Sequence, residues 1–447
     1  MKKLSFVLSL IMTTMLITMP AEAVTSNELS IDPNCSYILI DSKSGQVLAE
    51  NNADVKIRPA STTKILTAIV ALEEGQLDKE VKVSQEAVFD IGDGGMNIGI
   101  MAGETNLTLE NMLNVMLVKS ANETANIIAE NVAPSRAEFI ERMNKRAVEL
   151  GAVNTKFYNT NGMDDTEQFK NHLSTARDMA ILARHAMTIP KFREIVKQEY
   201  YKELPATNKH KEWPDLRTTN KLLWGNNQYP YGPQEDNNKY TVIGIKTGYT
   251  SGAGFNLITA AVSEEGTELI AAVMNVKESN DAVINYTKQL YEYGFENYKT
   301  QAFVDKDQVL DTVNVMEAKD DGKLQLVASQ SLEATLSIDK NLWNILEEKT
   351  IKQDITAPVK QGEVLGTVEY KKDGILLGKV DLIAARGVER SFKASFKETV
   401  GNIFHGIFTS WLFRILVIIF VLLMVRKHIR RARYRKRRRR FIESRFK

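Results

Sequence analysis

The sequence predicts an α+β fold with an antiparallel sheet, followed by a small β-rich domain and a C-terminal membrane helix. Three observations carry this reading. β-prone runs stand near residues 36–50 and again at 240–276, with apolar residues at helical spacing between them. From about Thr300 the pattern changes to short alternating segments, with turn residues at Asp320-Asp321-Gly322 and Asp373-Gly374. Finally, residues 403–425 form a long apolar run ahead of a basic block.

At the N-terminus, Lys2 and Lys3 precede an apolar stretch that ends at Pro20 and Ala21-Glu22-Ala23, the small-x-small pattern of a cleavage site. Residues 1–23 are therefore expected to be a signal peptide. After them, residues 36–40 and 46–50 read as a hairpin around Asp41-Ser42-Lys43-Ser44-Gly45. Ile65, Leu66, Ile69, Val70 and Leu72 then mark a helix, with Pro59 just ahead of its first turn. Helical patterns return at residues 109–117, 123–132, 136–150 and 175–186. Strands follow at 240–247, 254–262 and 268–276, and a helix at 281–294 closes the domain.

The expected organisation is thus a catalytic domain over residues 24–298, a β-rich domain over 299–388 and a linker over 389–402. A transmembrane helix over 403–425 and a basic cytoplasmic tail over 426–447 complete the chain. The run of 23 residues would extend about 34 Å as a helix, enough for a bilayer core, although His405 and Arg414 interrupt it. An interfacial helix is the alternative. Thirteen Lys or Arg after residue 425 place the tail inside and the folded part outside. With 447 residues, 43% of them apolar, the chain can bury sizeable cores. Its formal charge of +2 conceals a net acidic body, so a basic nucleic-acid-binding face is not expected.

One cysteine, Cys35, excludes an intrachain disulfide, and five scattered histidines show no metal-ligand spacing. Neither metal nor cofactor is expected. The chemistry lies instead in Ser61-Thr62-Thr63-Lys64 at a helix start, where spacing by three places both side chains on one face. Ser61 can attack while Lys64 takes its proton, provided that burial or a neighbouring cation keeps the amine neutral part of the time. Lys246 can be that cation: Lys246-Thr247-Gly248 ends a strand where a cation can meet a carboxylate and glycine admits a close backbone approach. Ser120-Ala121-Asn122, in the break between two apolar helices, offers a hydroxyl for proton relay and an amide to hold a peptide carbonyl. Each piece alone is common; the three in this order and on these elements form a strong signal.

On these residues the sequence resembles the low-molecular-mass penicillin-binding proteins, serine-type D-Ala-D-Ala carboxypeptidases of peptidase family S11, of the type-5 kind. Supporting stretches are Arg58-Pro59-Ala60-Ser61, Ser174-Thr175-Ala176-Arg177-Asp178 and Gly244-Ile245-Lys246-Thr247-Gly248-Tyr249-Thr250. The resemblance implies a β-lactamase/transpeptidase-like catalytic domain with Ser61 as acylated nucleophile and Lys64 as its base. It further implies that Ser120 completes the proton network, and that Asn122, Lys246, Thr247 and Gly248 bind substrate. The backbone N–H groups of Ser61 and Tyr249 would form the oxyanion hole. The implied reaction removes the terminal D-alanine from a peptidoglycan pentapeptide stem through an acyl-enzyme, with β-lactams as covalent inhibitors. The protein would sit on the outer face of the bacterial cytoplasmic membrane.

Two features depart from that family. The apolar run with its basic tail suggests a true span where an amphipathic anchor is usual, and residues 225–240, rich in Asn, Gln, Tyr and Pro, lengthen the approach to Lys246. Two rival readings share the motifs: a β-lactamase, which lacks here the expected Glu-x-x-Leu-Asn stretch, and a β-lactam sensor or envelope scaffold without turnover.

Overall fold

The computed structural model describes residues 29–167, 170–224, 240–394, 396, 399, 400, 405 and 411–443. The expected signal peptide, residues 225–239 of the polar stretch and most of residues 395–410 lie outside the described residues.

Strands β1 (Ser36–Asp41) and β2 (Val47–Asn51) form the hairpin read from the sequence. Seven helices follow: α1 (Lys64–Glu74), α2 (Gln85–Phe89), α3 (Leu109–Val118), α4 (Asn122–Val132), α5 (Arg136–Glu149), α6 (Ala176–Met187) and α7 (Pro190–Val196). Then come β3 (Tyr240–Thr250), β4 (Gly254–Ser263), β5 (Glu268–Val276) and α8 (Asn280–Asn297). Helices α2 and α7 escaped the sequence reading because five and seven residues are too few to display a helical period. Side-chain caps set several starts. Thr108, Ser135, Thr175 and Ser279 each accept a backbone N–H from the first turn of α3, α5, α6 and α8.

The five strands order as β2-β1-β5-β4-β3, so the N-terminal hairpin pairs with the last strand of the domain. Period-two alternation then divides the side chains between two apolar layers. Ile38, Ile40, Ile258, Ile270 and Met274 pack with the residues of α1, α3, α4, α5 and α6. Tyr37, Leu39, Leu257, Leu269 and Val273 pack on the other side with Val283, Ile284, Leu290 and Tyr291 of α8. Both faces being covered explains why β1 reads as an apolar run and not as an alternating one. Each fully buried aliphatic side chain contributes on the order of 1.5–3 kcal/mol, and this double layer makes the sheet a rigid support for β3.

The chain divides into two compact units, the first comprising Met1–Phe303, Glu333–Leu346 and Tyr370–Gly378. The second comprises Val304–Leu332, Glu347–Glu369 and Lys379–Lys447. The remaining strands are β6 (Tyr298–Val304), β7 (Val309–Asn314), β8 (Lys323–Ala328), β9 (Leu332–Ser337), β10 (Leu346–Ile351), β11 (Val364–Lys372) and β12 (Ile375–Ala384). They form a five-stranded sheet, β10-β11-β12-β8-β7, and a β6-β9 pair. Val315, Leu324, Leu326, Leu365, Val368 and Leu382 are the buried apolar centre of the second unit.

The last described element is α9 (Trp411–Glu443). Among the described residues no helix is long and apolar enough to cross a membrane. The crossing expected over residues 403–425 is therefore not found there. Within α9 the uncharged apolar run starts only after Arg414 and stops at Arg426, about 16 Å of helix against the roughly 30 Å of a hydrocarbon core.

Candidate active site

The residues that the sequence singled out all belong to the first compact unit, and the fold brings them together from four elements. Ser61 lies on a short 3-10 turn, Ala60–Thr63, that runs directly into α1. Lys64 is fully buried, and its Nζ lies 2.9 Å from Ser61 Oγ, 2.6 Å from Asn122 Oδ1 and 3.0 Å from the Asn161 carbonyl oxygen. As an ammonium Lys64 would donate to all three oxygens; as a neutral amine it would keep its two N–H bonds for Asn122 Oδ1 and Asn161 O, which can only accept, and turn its lone pair toward the Ser61 hydroxyl.

The acceptors are themselves held. Asn122 opens α4; its Nδ2 donates to the Ile91 carbonyl at 2.9 Å, which fixes Oδ1 toward Lys64. Its backbone N–H donates to Met96 O at 2.7 Å. Glu123, next in α4 and buried, accepts the backbone N–H of Ile98 at 2.8 Å, so the 91–98 loop is pinned to the start of α4 at several points. Asn161 precedes Gly162, whose φ of +89° and position under the nucleophile turn leave no room for a side chain. A Cβ there would stand 1.8 Å from the Ala60 carbonyl oxygen.

Ser120 sits in the break between α3 and α4 with φ +66°, a left-handed conformation uncommon for serine. Its Oγ accepts a hydrogen bond of 2.9 Å from Lys246 Nζ, which also donates to the Thr247 carbonyl at 3.0 Å. An ammonium has three N–H bonds, so one remains for a ligand. Because Ser120 accepts from Lys246, its own proton is free to pass onward. The Thr247 hydroxyl lies 2.5 Å from that of Thr219. Gly248 presses against the nucleophile turn: a Cβ would lie 2.9 Å from Pro59 O and 3.1 Å from the backbone nitrogens of Ser61 and Thr62. Tyr249 follows, exposed, with its ring tilted by 31° against that of Phe255 and the ring centroids 4.4 Å apart.

Electrostatics match the geometry. Lys64 is held well below the ordinary lysine range, first by burial and then by the positive charge of Lys246; the Glu123 carboxylate opposes this. Burial pushes Lys246 down to about 7. The same burial raises Glu123. Ser61 and Lys64 can therefore act as nucleophile and base, and Lys246 with Thr247 can meet an anion.

Several contributors were not visible in the sequence. Asn161 and Gly162 lie in a polar run, Asn159-Thr160-Asn161-Gly162, that reads only as a turn. Buried Asn256 donates through Nδ2 to the Arg58 and Pro59 carbonyls, both at 3.1 Å, and accepts Asn275 N at 2.8 Å, tying the approach to Ser61 onto β4. His172 accepts Tyr158 N at Nδ1, 3.1 Å, so Nε2 carries the proton donated to Thr63 Oγ1 at 2.8 Å. Burial lowers its pKa to about 3 and it stacks on Phe157, so it is a neutral strut and not a base. Nothing in the spacing of these residues marks them in advance; they are recognisable only once the lysine they surround is placed.

Comparison with known proteins agrees with this arrangement. Residues 22–278 match a family model described as peptidase S11, D-alanyl-D-alanine carboxypeptidase, and residues 298–390 match the penicillin-binding protein 5 C-terminal domain. The chain is 30% identical to D-alanyl-D-alanine carboxypeptidase DacF of Bacillus subtilis over 378 residues, 82% of this chain and 89% of the relative. It is 30% identical to D-alanyl-D-alanine carboxypeptidase DacC of Escherichia coli over 392 residues, 84% and 90% of the two chains. Among solved structures, penicillin binding protein 5 from Haemophilus influenzae superposes with a TM-score of 0.59 at 26% identity, covering 79% of this chain and 97% of that one.

Proposed function

The chain belongs to the D-alanyl-D-alanine carboxypeptidase family, peptidase S11, and from that premise we propose that it removes the terminal D-alanine of a peptidoglycan stem peptide through an acyl-enzyme on Ser61. The observation that carries the proposal is the buried Lys64 Nζ 2.9 Å from Ser61 Oγ, with Asn122 Oδ1 and Asn161 O as its other hydrogen-bond neighbours.

The steps follow from the groups present. The Ser61 Oγ–carbonyl bond forms as the proton of Ser61 moves to the Lys64 lone pair. Negative charge develops on the carbonyl oxygen, where the backbone N–H groups of Ser61 and Tyr249 would receive it; the contact of Gly248 with the Ser61 backbone supports this placement. The C–N bond then breaks and the departing amine takes the proton, directly from Lys64 or through the Ser120 hydroxyl. Water repeats the sequence on the ester, with Lys64 again accepting a proton. The terminal carboxylate sits against Lys246 and the Thr247 hydroxyl, and the Asn122 side chain lines the acyl side. A β-lactam presents the same carbonyl and carboxylate and so acylates the same serine.

We also propose that α9 holds the enzyme at the outer face of the cytoplasmic membrane. Leu416, Ile418, Phe420 and Leu422 are exposed on this helix, and the basic stretch beginning at Arg426 follows directly. Such a juxtaposition of apolar and cationic surface favours a helix lying on a membrane with anionic headgroups.

Release of D-alanine from a synthetic peptide ending in D-Ala-D-Ala is expected for the full chain and not for Ser61→Ala, which should also gain no penicillin mass by mass spectrometry. Penicillin mass on Ser61 without D-alanine release would instead indicate a sensor or scaffold. The pH dependence has a definite sign. Below pH about 7 the Lys246 cation is present in the empty enzyme and affinity for the carboxylate is flat. Above it, binding must take up a proton, so KM should rise by up to about tenfold per pH unit until the pKa of the complex is passed. The C-terminal amide of the same peptide should lack this rise; parallel profiles for acid and amide would contradict the role given to Lys246. For the anchor, a stop codon at Trp411 should move the enzyme from the membrane to the soluble fraction with its D-alanine release unchanged. Retention at the membrane would refute it.

A further inference from the structure

Beyond the residues of the three motifs, the position of Thr219 calls for a function. Its hydroxyl lies 2.5 Å from that of Thr247, and its place is fixed from both sides. The backbone N–H of Thr219 donates to Val118 O at 3.2 Å, at the end of α3 two residues before Ser120. Thr218, its neighbour, donates its N–H to Glu199 O at 2.8 Å and accepts the indole N–H of Trp224 at 3.0 Å on its carbonyl. Asn220, on the other side, is buried and donates to Gly244 O at 3.1 Å in the strand that carries Lys246. The Arg217 guanidinium lies between the rings of Trp224 and Tyr200, 3.9 and 5.2 Å from their centroids, and its Nη2 pairs with Glu199 at 2.7 Å. Such a clamp holds one half-exposed hydroxyl beside another at the edge of the cleft.

Each threonine hydroxyl has one proton. In a pair at this separation one proton lies between the two oxygens and the other points away. If Thr247 is the donor, its proton is spent on Thr219 and cannot reach an anion. If Thr219 donates, the Thr247 proton is free, and polarised by the bond behind it. A carboxylate only accepts, so it selects the second arrangement. Lys246 has one N–H bond left after Ser120 and the Thr247 carbonyl, enough for one carboxylate oxygen; the Thr247 hydroxyl serves the other.

We propose that Thr219 is a positioning residue for the reaction: by donating to the Thr247 hydroxyl it aims that hydroxyl's proton at the terminal carboxylate, and so sets the preference for a free C-terminal acid over its amide. This rests on the reading of Lys246 and Thr247 as the carboxylate-binding pair, and the test separates the two.

Steady-state rates of the full-length enzyme are measured on an acyl-D-Ala-D-Ala peptide and on its C-terminal amide, for the unaltered chain, Thr219→Val, Thr219→Ser and Thr247→Val. The expected result is that Thr219→Val raises KM for the acid about tenfold, the size of losing one hydrogen bond to a charged group. It should leave kcat for the acid within about twofold and both constants for the amide unchanged, while Thr219→Ser restores the acid KM. An equal loss on acid and amide would reduce Thr219 to a packing role and overturn the inference. So would no change with Thr219→Val while Thr247→Val still penalises the acid selectively; in that case the carboxylate pair stands without Thr219. If Thr247→Val itself fails to discriminate acid from amide, the reading of the pair falls and the inference with it.

Discussion

The structure depends on one costly arrangement: a lysine amine enclosed in protein, without a carboxylate paired to it, next to the hydroxyl that the proposed mechanism has it deprotonate. Taking an ammonium out of water is unfavourable by several kcal/mol, and the group answers by giving up its proton. Everything around Lys64 exploits that response. Its two committed acceptors, Asn122 Oδ1 and Asn161 O, are oxygens that satisfy a neutral amine without supplying negative charge. A second lysine adds repulsion from the far side, while the buried Glu123 limits how far the depression goes. An exposed lysine at the same three-residue spacing would be an ordinary helix-surface cation.

Holding such an arrangement requires rigid neighbours. The two apolar layers of the sheet anchor β3 and the turn it touches, and α1 starts within the apolar layer that also takes in α3 to α6. Two left-handed backbone positions adjoin the catalytic groups. Ala60 and Ser120 both have positive φ, one immediately before the nucleophile and one bonded to Lys246. Such conformations persist only where surrounding contacts over-determine them, as the Gly162 and Gly248 approaches and the Asn256 side chain do for the Ser61 turn.

Much of this was legible in the sequence, and the reasons are specific. The hairpin, the six longer helices of the first unit and the last three strands of its sheet show clear periods because each buries one face or both against a core. Ser61, Lys64, Ser120, Asn122, Lys246 and Thr247 were legible because their chemistry is carried by residue type at short spacing. Asn161, Asn256, His172 and Thr219 were not, since each acts through a backbone group or a hydroxyl far away in sequence, and Asn or Thr in a polar run looks like any turn. Helices α2 and α7 were too short to show a period. The apolar run at residues 403–425 was read by length and composition alone, and among the described residues only the part from Trp411 onward can be compared with it.

The central claim is that Lys64 is a neutral base. The most direct measurement is the titration of its side chain by NMR on lysine-labelled protein, with the Lys64 signal assigned by its absence in Lys64→Arg. The account predicts a Lys64 resonance that titrates well below the ordinary lysine value of about 10.4. A Lys64 signal that keeps the ammonium shift up to pH 10 would contradict it.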